Sequence, residues 1–169
     1  YNFENIMMAL SVSKFLGIKE EISANIISKY YPEDNRSQKF SFSSNCIVLD
    51  AYNANPVSMV NAIESVSKFS NKNKVMILGD MNELGKFMEL EHRNIGKITS
   101  RLNLEACYFV GNKMKFAHEE NKLSLWFKNL SDLEDELTEK KFKDTDILVK
   151  GSRSLELENI VHILKKISV

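Results

Sequence analysis

Three clusters of polar residues each follow a short apolar run, and each holds side chains able to do chemistry at a strand end. Asp50-Ala51-Tyr52-Asn53-Ala54-Asn55-Pro56 follows the run at 46–49, Gly79-Asp80-Met81-Asn82-Glu83-Leu84-Gly85 follows 74–78, and Lys150-Gly151-Ser152-Arg153 follows 146–149. A carboxylate such as Asp50, placed where apolar residues stop, can accept two hydroxyls of the kind a ribose diol offers, or cap its own turn. Lys150 is a point charge, whereas the Arg153 guanidinium can grip a carboxylate through two parallel hydrogen bonds. The amides of Asn53 and Asn55 both donate and accept. Asn55 is also a favourable N-cap, and Pro56 fits the first helical position. The free N–H groups at Val57 and Ser58 then face the strand end and favour an anion. Taken singly, each Gly or Asn is explained by a chain reversal, and Ser152 by a helix cap. Three such turns together point to a site, because a parallel sheet brings them all to one edge.

Other chemistries are not supported by spacing. A phosphate-binding P-loop has four residues between its glycines and a Ser or Thr after its lysine; here five residues separate Gly79 from Gly85, and Phe87 follows Lys86. Glu83 suits capping of the next helix. His92, His118 and His162 have neither metal-ligand nor triad spacing, so no metal site and no catalytic histidine are expected; His92 suits a helix-packing or cleft role. Cys46 and Cys107 sit in separate apolar runs without a second metal ligand nearby and read as core thiols. Trp126 and the seven Met residues read as core as well.

Positioning the turns requires strands and helices in alternation. Phe3, Ile6, Met7, Leu10, Val12 and Phe15 recur at helical spacing over 3–16, ended by Gly17. A shorter helix is expected at 19–29, with 30–35 as the connection out of it. Strands at 39–42 and 46–49, joined through Ser43-Ser44-Asn45, suit a hairpin. A surface helix at 56–69 follows, with Met59, Ala62, Ile63, Val66 and Phe69 as its apolar stripe. Next come a strand apolar on both faces at 74–78, a helix at 89–102, a strand at 106–110 and a helix at 113–120. A strand at 123–126, a helix at 130–139, a strand at 146–149 and a final helix at 155–167 complete the chain. This order predicts an α/β fold with a doubly wound, mostly parallel sheet, preceded by a short helical segment. Ligands in such folds gather beyond the carboxyl ends of the strands.

A length of 169 residues suits one domain with a short appendage, and 43% hydrophobic with 27% charged residues allows a full core. Lys plus Arg and Asp plus Glu both total 23, so no net field draws nucleic acid or acidic lipid. No apolar stretch approaches the roughly 20 residues of a membrane helix, and no signal-peptide pattern opens the chain. No nucleic-acid or membrane partner is expected, and a cytoplasmic location is. The chain opens at Tyr1 rather than Met, and further sequence is expected upstream.

The three turns, with Tyr1-Asn2-Phe3-Glu4-Asn5 at the start, resemble in order and interval the C-terminal part of the Mur ligase family, from Tyr1 through the helix after Arg153. The branch most similar adds D-alanyl-D-alanine to UDP-N-acetylmuramoyl-tripeptide in bacterial peptidoglycan synthesis. The resemblance implies a Rossmann-like C-terminal domain at 32–169, with 1–31 as the helical end of a central ATP-binding domain. It implies nucleotide contacts from Asp50 at the ribose, from Arg36 in Asn35-Arg36-Ser37-Gln38, and from Asn2 near the adenine. The acceptor-dipeptide cleft would be formed by Tyr52, Asn53, Asn55, Asp80, Lys150, Ser152 and Arg153, and the loop at 79–86 that faces it would be organised by Asp80 and Glu83. Without the resemblance, Arg36 reads as a surface residue. An amide ligase of this kind transfers the γ-phosphoryl group of ATP to the tripeptide carboxylate, and the dipeptide amine then attacks the acyl phosphate. The family keeps its phosphate loop, metal ligands and UDP-binding surface in the N-terminal and central domains. ATP and Mg²⁺ are thus expected in the full-length enzyme, a monomer, with no cofactor held and no catalytic residue supplied by this segment alone. The alternative is a non-catalytic nucleotide- or peptide-binding module of the same Rossmann-like fold.

Overall fold

The computed structural model describes residues 3–169, so Asn2 lies outside the described residues. Two compact units are present, Tyr1–Pro32 and Glu33–Val169. The first contains α1 (Phe3–Phe15) and α2 (Glu20–Ser28), with Gly17 at a φ of +74° between them. The helical periodicity of α1 is realised but its burial is not: none of its residues is buried, and Phe3, Met8 and Phe15 are well exposed. Two short helices offer too little facing surface to cover an apolar stripe. Met7 and Met8 are therefore not core, contrary to the sequence expectation.

In the second unit, β1 (Gln38–Phe42), β2 (Asn45–Asp50), β3 (Asn73–Gly79), β4 (Ala106–Val110), β5 (Leu125–Phe127) and β6 (Thr145–Lys150) form one sheet in the order β1-β2-β6-β3-β4-β5. Only the β1–β2 hairpin is antiparallel. The central strands are apolar on both faces because both faces are covered. Ile47, Leu49, Val75, Ile77, Ile147 and Val149 point into one core, and Val48, Met76, Leu78 and Leu148 into the other. Helices α3 (Pro56–Ser67), α4 (Met88–Thr99) and α5 (Lys115–Glu120) supply Met59, Ile63, Ile95 and Ala117 to the second core. Helices α6 (Leu130–Thr138) and α7 (Val161–Lys166) supply Leu133, Leu137 and Leu164 to the first. Cys46 and Cys107 are free buried thiols, on strands separated by β6 and β3. Burial raises both thiols, Cys107 to about 12, so neither is a ready nucleophile.

Strand β6 is inserted between β2 and β3, and this makes a switch point in the strand order. The chain leaves β2 and β3 toward helices on one face, and leaves β6 toward α7 on the other. The loops diverge at the carboxyl edge there, the switch point where such sheets bind ligands.

Three local differences from the sequence expectation have plain causes. The hairpin turn is only Ser43-Ser44, with Phe42 opposite Asn45 and Ser43 at a φ of +50°. Strand β5 starts at Leu125 because Asn121 holds 121–124 in a turn, its side chain accepting from Leu123 N and its carbonyl from Ser124 N. The final helix is broken: 3-10 turns at Arg153–Leu155 and Leu157–Ile160 flank Glu156 in the left-handed region before α7 begins. Leu155 and Leu157 both pack over Gly79. Residues two apart on a helix point to nearly opposite sides, so a continuous helix could not deliver both.

Candidate functional site

Asp50 and Lys150 end the adjacent strands β2 and β6 opposite each other in register. Lys150 is only 1% exposed, and its ammonium donates to Asp50 Oδ2 at 2.5 Å and to the Asn53 carbonyl at 3.1 Å. The other Asp50 oxygen accepts from Ser37 N at 2.9 Å and Ser37 Oγ at 3.3 Å. A buried Lys–Asp pair survives desolvation only when further hydrogen bonds complete it, and these do so. The pair thereby pins two loops, the turn after β2 and the segment before β1. In that segment Asp34, Asn35 and Ser37 all have positive φ, and Tyr52 N donates to the Asn35 carbonyl.

Arg36 stands between those anchored residues, its Cζ 3.6 Å from the centre of the Tyr52 ring. Arg153 approaches the same ring, Cζ to centre 5.9 Å. A guanidinium over an aromatic face keeps its N–H edge free for an anion. Among the described residues no carboxylate pairs with Arg36, and Arg153 meets only Glu158, at 3.7 Å. Arg36, one of the residues implied for the nucleotide, and Tyr52 and Arg153, two implied for the acceptor, thus share one cluster. Asn53 and Asn55 are exposed beside it. Asn53 Oδ1 accepts from Ala54 N, and Asn55 caps α3 in a reciprocal box with Ser58.

The turns after β3, β4 and β6 are tied together through Asp80. Its Oδ1 accepts from Lys113 N at 3.0 Å and Met114 N at 2.9 Å, and its carbonyl accepts from Ser152 N at 3.0 Å. Burial pushes the Asp80 carboxyl up, opposed by the Met114 N–H, His92 and Lys113. Ser152 Oγ accepts from Asn82 N, and Lys113 Nζ donates to Asn82 Oδ1 at 2.5 Å. Ser152 is therefore a tie between loops, and its hydroxyl does not cap the turn that follows it. No side chain caps the helical turn at Gly85–Phe87 or α4, so Glu83 does not act as a cap. His92 is fully buried: Met81 N donates to its Nε2, and Nδ1 lies 2.6 Å from the Met88 carbonyl, which assigns a neutral ring with the proton on Nδ1. Burial lowers its pKa.

Asn53, Asp80 and Ser152 therefore share one edge, linked by Lys150–Asn53 and Ser152–Asp80 hydrogen bonds. Sequence reading missed the turn Gly111-Asn112-Lys113, although it too is polar and follows an apolar strand. Gly111 has a φ of +109°, and a Cβ there would lie 2.4 Å from the Asp80 carboxyl carbon. Ser37, which holds Asp50, was missed as well, and nothing in its neighbours' types marks it. Among the described residues no three His, Cys, Asp or Glu side chains converge. No described helix is long and apolar enough to cross a membrane.

Comparison with known proteins gives this geometry a family. Residues 35–153 match the model of the Mur ligase, glutamate ligase domain. The chain is 29% identical over 163 residues to the UDP-N-acetylmuramoyl-tripeptide--D-alanyl-D-alanine ligase of Rickettsia prowazekii (strain Madrid E), covering 95% of this chain and 36% of that protein. It is 33% identical to the protein of the same name from Buchnera aphidicola subsp. Baizongia pistaciae (strain Bp), covering 98% and 36%. A crystal structure of MurF from Acinetobacter baumannii superposes with a TM-score of 0.86 at 25% identity, over 98% of this chain and 38% of that one. The fold is also that of the MurF ligase from Thermotoga maritima in complex with ADP, with a TM-score of 0.79 at 22% identity over 93% and 36%. The chain spans a little over a third of the length of these relatives.

Proposed function

Since the chain belongs to the Mur ligase family, we propose that it is the C-terminal part of the ATP-dependent ligase that adds D-alanyl-D-alanine to UDP-N-acetylmuramoyl-tripeptide in the bacterial cytoplasm. Members of this family are ATP-dependent ligases, and the curated relatives carry the name of that enzyme. The observation that carries the site assignment is the Arg36–Tyr52–Arg153 cluster, two exposed guanidiniums on one ring at the switch point of the sheet. In this reading Arg36 and Asp50 hold the ribose side of ATP, with Asn2 near its base. Tyr52, Asn53, Asn55, Asp80, Ser152 and Arg153 line or support the acceptor cleft. Lys150, being buried, serves by holding Asp50 and the Asn53 carbonyl in place. ATP supplies the activating phosphoryl group; this part of the chain binds and orients and helps to exclude water, while Mg²⁺ and the phosphates belong with the other domains. The exposed apolar residues of α1 and α2 suit the helical end of that central domain. The full-length enzyme acts as a monomer, and the segment alone does not ligate.

The test is amide formation by the full-length protein supplied with ATP, UDP-N-acetylmuramoyl-tripeptide and D-alanyl-D-alanine. Arg36→Ala is expected to raise the KM for ATP, and Arg153→Ala the KM for the dipeptide. A full-length wild type that forms no amide bond, while still binding nucleotide, would leave the binding-module alternative.

A further inference from the structure

Glu158 has no assigned role, and its surroundings are unusual. One of its oxygens, Oε2, is buried and accepts no hydrogen bond. The other, Oε1, lies 3.7 Å from Arg153 Nη1, an ion-pair distance but too long for a hydrogen bond. Its side chain is 23% exposed, whereas that of Arg153 is 61% exposed. A carboxylate kept half-buried without a donor is poor design for stability, since a buried acceptor normally finds a partner.

The backbone goes to some trouble to put it there. Glu156 adopts a left-handed conformation, φ 49° and ψ 40°, which a non-glycine residue holds only under constraint from its surroundings. That step turns the chain back after Arg153, and Leu157 locks it by packing over Gly79 and Gly151. A Cβ on Gly151 would meet Leu157 Cδ1 at 2.7 Å. The outcome is a carboxylate held next to an arginine that also faces Tyr52.

We propose that Glu158 is the positioning residue of Arg153: it holds the guanidinium by charge at a distance that leaves its N–H edges available to the carboxylate of the acceptor dipeptide. This rests on the ligase reading for the identity of the anion, but the positioning itself does not. A tight bidentate Glu–Arg pair would occupy the donors that an incoming anion needs. A long one sets orientation and leaves them open.

Two measurements test it. In the 169-residue chain, solvent exchange of the Arg153 Nε proton, assigned by its loss in Arg153→Lys, should speed up about threefold or more in Glu158→Gln, while Tm does not fall. In the full-length enzyme, Glu158→Gln should raise the KM for D-alanyl-D-alanine about tenfold, with kcat and the KM for ATP within about twofold of wild type. Added to Arg153→Ala, Glu158→Gln should change the dipeptide KM no further, since a residue acting only through Arg153 has nothing left to act on. Unchanged proton exchange, a fall in Tm, or additive effects of the two substitutions would overturn the proposal. Absence of any amide product would refute the ligase reading instead, and the exchange measurement would still decide the role of Glu158.

Discussion

Strand β6 carries a buried ion pair at each end, and the two ends behave differently. At the amino edge Asp146 Oδ2 meets Lys74 Nζ at 3.1 Å and accepts from Asn71 N, while Lys74 also donates to the Asn71 carbonyl. The pair and its loop close on one another. A depression of about 370 Å³ opens beside them, with Lys39, Ser43 and Phe69 in its lining and the Lys39 ammonium over the Phe69 ring. At the carboxyl edge the Lys150–Asp50 pair holds loops that present Arg36, Tyr52 and Arg153 outward. The chemistry of the two pairs is alike. What differs is whether the residues they anchor are satisfied or left open, and the proposed site lies with the open ones.

Breaking the two pairs in parallel is the strongest way to challenge this contrast. Lys150→Ala leaves Asp50 buried and unpaired, and Lys74→Ala does the same to Asp146; each should cost about 3–5 kcal/mol of stability by urea denaturation. In full-length enzyme, at a temperature where both variants remain folded, Lys150→Ala should raise the KM for both ATP and dipeptide, and Lys74→Ala should leave both unchanged. Equal kinetic damage from the two would erase the distinction between the edges.

Gly111→Ala should come next. Its left-handed backbone alone costs about 1–3 kcal/mol for a residue with a side chain, and the added methyl would displace the carboxylate that ties the turn after β3 to the turn after β4. Asn55 and Asn129 both cap helices at the carboxyl edge, of α3 and α6. Alanine at either should cost about 1 kcal/mol in thermal unfolding, with the dipeptide KM altered only by Asn55→Ala. Smallest is a pH effect. Burial holds the pKa of His92 below its ordinary value, so the unfolded chain takes up a proton first as pH falls. The stability this ring contributes is complete above about pH 6.5 and declines below it, toward its lower folded pKa. Asp80 has the opposite sign: its raised pKa means that protonation at acid pH relieves a penalty of the folded state. Tm measured from pH 8 to 5.5 should fall more steeply in wild type than in His92→Gln.

Much of the fold was legible because the strands are two-sided. Runs such as Val75-Met76-Ile77-Leu78 have few alternatives once Gly and Asn end them, and alternation with helices implies a parallel sheet. The final helix was misread because periodicity over 155–167 does not reveal that Leu155 and Leu157 must both reach Gly79. The core placement expected of Met7 and Met8 was misread for the reverse reason: an apolar stripe reports a need for a partner and does not supply one. At the site, Asp50, Asp80, Lys150 and Ser152 announce themselves by standing where apolar strands stop. Ser37 and Glu158 do not, since each matters through a neighbour distant in sequence or reached by a reversal of the chain.

Residue order alone determined that polar turns would end apolar strands, because hydrophobic patterning and helix-capping chemistry are local. It determined equally that no P-loop occupies 79–86. Only the tertiary structure decided that Lys150 would turn inward to Asp50 while Arg36 and Arg153 turn outward to share Tyr52. Insertion of β6 between β2 and β3 brings those residues together, and strand order depends on the packing of both cores at once, a property of the assembled sheet and of no single segment.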